Sequence, residues 1–179
     1  MIDRGAENIY NPGAIGVTLI DPLEVLRLEH TRGIDELGKI TIANESIHTD
    51  GFTAAAFRQI ATSVNYIGLE MRKHYEKEER YLFPLLDKHL FESPNEIRHE
   101  RREMWHAFNE LMMIVKDVEN GRIHGTTLRE LMQSSRDVVE QFKNHIEREN
   151  TIIFPMVKRL LTPDEYAQFG REIQSVTYH

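Results

Sequence analysis

Two short segments of this chain are built alike. Lys73-His74-Tyr75-Glu76-Lys77-Glu78 and Asn144-His145-Ile146-Glu147-Arg148-Glu149 each place a histidine four residues before a glutamate, and each runs on into a Phe-Pro pair, Phe83-Pro84 and Phe154-Pro155. On a helix, residues four apart lie one above the other, with Cβ atoms about 5–6 Å apart. Each segment therefore offers one imidazole and one carboxylate to a common point. Two such couples turned toward each other make a site for two metal ions.

Further histidines extend the set. His30 lies on the apolar stripe of its own segment, with Leu23, Leu26, Ile34 and Leu37. It precedes His74 by nearly the interval at which His99 precedes His145, so the chain reads as two similar halves, each giving one lone histidine and one His-x-x-x-Glu couple. His106 competes with His99 for the place on its helix; the spacing to His145 favours His99. The predicted metal ligands are thus His30, His74, Glu78, His99, His145 and Glu149. Four imidazoles and two bridging carboxylates, completed by an oxo or hydroxo bridge, suit two iron ions ahead of manganese or zinc, and leave open positions. Those positions favour a small diatomic ligand or anion such as oxygen, nitric oxide, peroxide or azide. Glu70, one turn before His74, is a candidate proton relay. Glu76 and Glu147 point away from the couples and read as surface charge.

The elements that must position these residues are helices. Asp21-Pro22, Ser93-Pro94-Asn95-Glu96 and Thr162-Pro163-Asp164-Glu165 carry a capping residue followed by proline at the first helical position, and the last two add a glutamate for a capping box. Further starts lie near Asp50 to Thr53 and at Thr126-Thr127, with stops at Asn120-Gly121 and around Leu90 to Ser93. The spacing predicts helices over roughly 22–47, 52–90, 94–120, 127–161 and 163–176. The second shows a seam of Phe57, Ile60, Val64, Ile67, Met71, His74, Glu78, Leu82 and Leu85. The fourth shows Leu128, Leu131, Ser135, Val138, Phe142, His145, Glu149, Ile152 and Met156. The couples sit inside these seams, where carboxylates are costly unless paired or bound to metal. Short connections imply antiparallel neighbours. The expected fold is all-α: an up-down-up-down four-helix bundle over 22–179, with an N-terminal arm over 1–21 and a short fifth helix.

Composition narrows the chemistry. The 179 residues include no cysteine, which removes disulfides, thiolate metal sites and cysteine nucleophiles. The net charge of −7 gives no general attraction for nucleic acid, and the local basic cluster Arg98, Arg101 and Arg102 reads as a solvated helix face. No stretch has the roughly 20 apolar residues of a membrane span, and no signal peptide is evident, so a cytoplasmic protein is expected.

At these residues the chain resembles the hemerythrin-like HHE cation-binding family. The matching elements are Leu28-Glu29-His30, His74-x-x-x-Glu78 with Phe83-Pro84, His99-Glu100, and His145-x-x-x-Glu149 with Phe154-Pro155. The resemblance implies a four-helix bundle with a non-haem di-iron centre. Glu103 stands where the marine oxygen carriers have the second histidine of their third helix, so the pattern is nearer to bacterial iron-centre-repair proteins and iron-sensing domains. The expected function is a di-iron protein that binds or senses oxygen, nitric oxide, peroxide or iron, acting through a protein partner or a homo-oligomer. The alternative is a di-iron enzyme: an oxidase, a peroxidase-like or nitric-oxide-reducing protein, or an iron-centre repair protein.

Overall fold

The computed structural model describes residues 21–90 and 95–177. Residues 1–20 of the N-terminal arm and the Ser93-Pro94 helix start lie outside these residues. Within them the chain is helical, with five helices and no strand. They are α1 (Pro22–Asp50), α2 (54–89), α3 (Asn95–Glu119), α4 (125–160) and α5 (Pro163–Thr177). Among the described residues no helix is long and apolar enough to cross a membrane.

The starts follow local chemistry. The Asp21 side chain accepts from the Leu23 amide at 3.0 Å ahead of Pro22, and the Thr53 hydroxyl accepts from the Ala56 amide at 3.1 Å. At α5 the expected capping box closes: the Thr162 amide donates to Glu165 at 3.0 Å and the Glu165 amide to Thr162 Oγ1 at 3.3 Å. α3 stops at Gly121, whose φ of 83° needs a residue without Cβ. The fourth helix begins at Gly125, before the Thr126-Thr127 pair expected to open it, and α1 runs three residues past its expected end.

Two apolar layers are separated by one polar layer. The larger layer holds Leu37, Ile40 and Ile47 of α1, Phe57 to Tyr75 of α2, Met104 to Val118 of α3 and Leu131 to Ile146 of α4. The smaller holds Leu23 and Leu26 of α1, Leu82 to Leu86 of α2, Ile97 of α3 and Ile153 to Val157 of α4, closed by Phe169 and Ile173 of α5. α1 packs on α2 and α4, and α3 on α4. Each long helix crosses from one layer to the other, and at each crossing it places a buried polar residue: His30, His74 with Glu78, Arg101, and His145 with Glu149. Full burial of each large side chain in these layers contributes about 1.5–3 kcal/mol. That supply is what lets a charged layer be held away from water. Gly33, one turn from His30, admits Met71 closely: a Cβ there would lie 2.8 Å from Met71 Sδ.

Candidate metal centre

The helices carrying the two couples are not uniformly α. π-helical turns occupy Glu78–Leu82 and Glu149–Ile153, each opening on the glutamate of a couple. A further π turn, Ile67–Met71, lies earlier on α2; the two at the glutamates each run into a Phe-Pro pair. Proline has no N–H for the carbonyl four residues earlier, so the ladder is interrupted and widens by one residue. The Phe83 amide instead reaches the Glu78 carbonyl, and the Phe154 amide the Glu149 carbonyl. The extra residue also moves the seam of α4. Ile152, expected on it, is 51% exposed, and Ile153 is buried in its place.

The couples face one another, joined by His30. His30 Nε2 lies 3.1 Å from Glu149 Oε2, His74 Nε2 lies 3.4 Å from Glu78 Oε1, and His145 Nε2 lies 3.0 Å from Glu149 Oε1. One ligand atom from each of His30, His74, Glu78 and Glu149 lies within 4.8 Å of the others, and all four residues are buried. The far sides of the His30 and His74 rings are tied down. His30 Nδ1 donates to Asn150 Oδ1 at 3.0 Å, and His74 Nδ1 donates to Glu29 Oε2 at 2.8 Å. Such outer partners fix the ring and aim Nε2 inward. Glu29 is held in turn by Lys77. The ring of His30 stacks on Phe154 at 5.3 Å.

The inward atoms His30 Nε2, His74 Nε2, Glu78 Oε1 and Glu149 Oε2 are buried and have no hydrogen-bond partner in the protein. Four orphaned donors converging in an apolar interior are costly as they stand. Imidazole and carboxylate together are the donor set of a borderline transition metal such as iron, so the residues present fit a cation. A model of the hemerythrin HHE cation-binding domain matches residues 21–157. The chain belongs to this family. A curated protein named iron-sulfur cluster repair protein YtfE, from Edwardsiella ictaluri (strain 93-146), is 25% identical over 133 residues, which cover 70% of this chain and 59% of that protein.

This hemerythrin-family centre differs from the expected ligand list on α3. His99 does not join the cluster. Its side chain is 65% exposed and its Nδ1 sits 4.0 Å from Glu103. His106 is 74% exposed beside Glu110. Both lie off the buried face of α3, which runs Ile97, Arg101, Met104, Phe108, Leu111, Val115, Val118. The residue α3 delivers is Arg101, which the sequence reading assigned to a solvated basic cluster. Arg101 is 5% exposed. Its Nη2 donates to Glu78 Oε2 at 2.5 Å and to Glu149 Oε1 at 2.7 Å, its Nη1 donates to Glu79 at 3.2 Å, and its Nε donates to His145 Nε2 at 3.5 Å. The guanidinium is sandwiched by Tyr75 at 4.3 Å and Phe83 at 4.8 Å. A signal for Arg101 was present: the interval from His74 to His145, applied to His30, lands on it. Glu29 and Asn150 had no such signal, because their contacts are set by how the helices pack. Glu70 lies on the surface, paired with Lys73 at 2.8 Å. Glu76 and Glu147 are exposed, as expected.

The charges hold one another. Burial pulls the His74 pKa down, but the Glu78 carboxylate and the Glu29 hydrogen bond outweigh it and raise it to about 9. For Glu149, burial acts upward, while the His145 and His30 rings set against its oxygens and the Arg101 guanidinium hold it well below the usual carboxylate range. Burial would lower the Arg101 pKa, yet Glu78 and Glu149 raise it, so the guanidinium stays charged. Burial and the Glu149 charge push the Tyr75 phenol well up, so it keeps its proton.

Proposed function

We propose that this protein is a non-haem iron protein that binds or senses a small ligand: oxygen, nitric oxide, peroxide, or iron itself. The four long helices would run alternately up and down as a bundle, since the successive helices meet the two apolar layers in alternating order. The observation that carries the reading is the convergence of four buried, unpartnered donor atoms from His30, His74, Glu78 and Glu149. Iron held there would supply open coordination positions for a small ligand. The protein would hold the ligating rings in orientation through Glu29 and Asn150, and keep water out with the layers on either side. A cleft of about 470 Å³ beside the centre is lined by Glu29, Lys77 and Tyr81 among others, and gives an approach from the His74 side.

A second reading, an iron-centre repair enzyme, is favoured by the similarity to the YtfE protein. Two irons under an oxo or hydroxo bridge were expected from a set of four imidazoles; three are gathered here. The test is iron analysis of the purified chain. Wild type and Glu76→Ala should retain iron, while His74→Ala and Glu149→Ala should lose it. Equal retention in all four would refute the site. Nitric oxide or oxygen added to the reduced protein then separates reversible binding from turnover.

A further inference from the structure

Resting on the metal-binding reading above, we propose that the centre takes one metal ion, because the guanidinium of Arg101 stands in the place of the second cation.

The interval that carries His74 to His145 also carries Glu78 to Glu149, Phe83 to Phe154, Lys77 to Arg148, Glu29 to Glu100 and His30 to Arg101. The contacts repeat with it. His30 Nε2 meets Glu149 Oε2 at 3.1 Å, and Arg101 Nη2 meets Glu78 Oε2 at 2.5 Å. His30 stacks on Phe154 at 5.3 Å, and Arg101 lies over Phe83 at 4.8 Å. Glu29 joins His74 and Lys77, while Glu100 faces His145 Nδ1 at 3.9 Å and joins Arg148. The buried face of α1, from Leu26 through His30 and Leu37 to Ile47, matches that of α3, from Ile97 through Arg101 and Phe108 to Val118. The second half therefore keeps the architecture of the first, and exchanges its lone imidazole for a cation.

Arg101 takes Glu78 Oε2 and Glu149 Oε1. The other oxygen of each, Glu78 Oε1 and Glu149 Oε2, is left without a partner, together with His30 Nε2 and His74 Nε2. Each carboxylate is thus divided between a guanidinium and an open position, and the open positions make one four-atom set. Neither glutamate has a second oxygen free to bridge two ions. His145 lies on the Arg101 side, where its Nε2 accepts from Arg101 Nε, and it is not among the four converging residues.

Two carboxylates facing one dication and one guanidinium leave a small net charge in an apolar layer. A second dication with Arg101 in place would set three cationic groups against the two buried carboxylates, and adds the desolvation cost of a further ion. Such a one-metal centre has no bridged partner to share electrons, so it changes oxidation state one electron at a time.

The test is metal stoichiometry of the full chain, reconstituted with excess ferrous iron without oxygen, freed of loose metal and then oxidised. The expected result is one iron per chain, with the magnetic resonance of an isolated high-spin ferric ion and no near-ultraviolet oxo-bridge band. Arg101→His, which restores an imidazole at the position matching His30, should raise the count to two and bring in the bridge band. Two irons in wild type would overturn the proposal, as would a folded Arg101→His chain that still takes one. No iron in wild type would instead sink the metal reading on which it stands. Where Arg101→His does not fold, the wild-type count and spectrum decide alone.

Discussion

Arg101→Met in the metal-free protein is the sharpest probe of how the polar layer is held. Methionine fills much of the same volume between Tyr75 and Phe83, so the change removes charge and hydrogen bonds more than packing. Arg101 neutralises two carboxylates that are each about 1% exposed, through contacts of 2.5 and 2.7 Å. Removing one partner of a buried ion pair costs about 3–5 kcal/mol, because the remaining charge stays buried and unpaired. For a chain of this length each kcal/mol moves the melting temperature by about 2–4 °C, so a fall of roughly 6–20 °C is expected. Lys158→Ala is the control. It breaks a surface pair with Asp21 at 3.0 Å, with Lys158 half exposed, and should cost about 0–1 kcal/mol. The assay is thermal unfolding followed by circular dichroism, with chelator throughout. The sign with pH also follows. A carboxyl that takes up a proton needs no counter-ion, so the Arg101→Met deficit should be larger at pH 8 than at pH 5. A variant that melts no lower than Lys158→Ala, or a deficit that grows on acidification, would refute the argument that Arg101 holds these carboxylates.

Further outcomes are expected. With the His74 pKa raised to about 9, a cation must displace a proton from it at neutral pH. Manganese affinity by calorimetry should therefore rise about tenfold per pH unit between pH 6 and 8, and a flat profile would contradict this. The same shift stabilises the metal-free fold below His74's ordinary value of 6.5, a gain lost as pH rises through about 9. Glu29→Ala unties His74 Nδ1 and should weaken metal binding about 10–100-fold while the helical spectrum persists; unchanged affinity would remove Glu29 from the site. His99→Ala should leave the metal content unaltered, given the exposure of that side chain, and His30→Ala should abolish it; the reverse ranking would restore the ligand list drawn from sequence.

What was legible in the sequence was whatever repeats along the chain or sits at a helix end. The caps at Asp21 and Thr162, the stop at Gly121 and the seams through His74, Glu78, His145 and Glu149 are local patterns, and the structure places them where they were read. Two things were not legible. The first is the π turn ahead of each Phe-Pro pair, whose added residue carries burial from Ile152 to Ile153. Proline marked the interruption, but helical periodicity alone gives no reason to prefer a widened turn over a kink. The second is the residue that α3 contributes. Histidine type drew the choice to His99, while the burial pattern of Ile97, Met104, Phe108 and Leu111 pointed to position 101.

Residue type and position were in conflict on α3, and position prevailed for a physical reason. A buried layer containing two carboxylates requires positive charge where the helices bring them together, and it does not matter to the fold whether that charge is a metal ion or a guanidinium. At position 30 the requirement is met by an imidazole aimed at an open site, since His30 Nε2 has no partner. At position 101 it is met by a side chain that brings its own charge and uses it on both glutamates. The two halves then do different work under one architecture. The first half supplies three of the four converging ligand residues, and the second lends Glu149 and neutralises what remains. On the proposal above, a duplicated binding motif need not bring a duplicated ion, because at the paired positions 30 and 101 an imidazole in one half answers a guanidinium in the other.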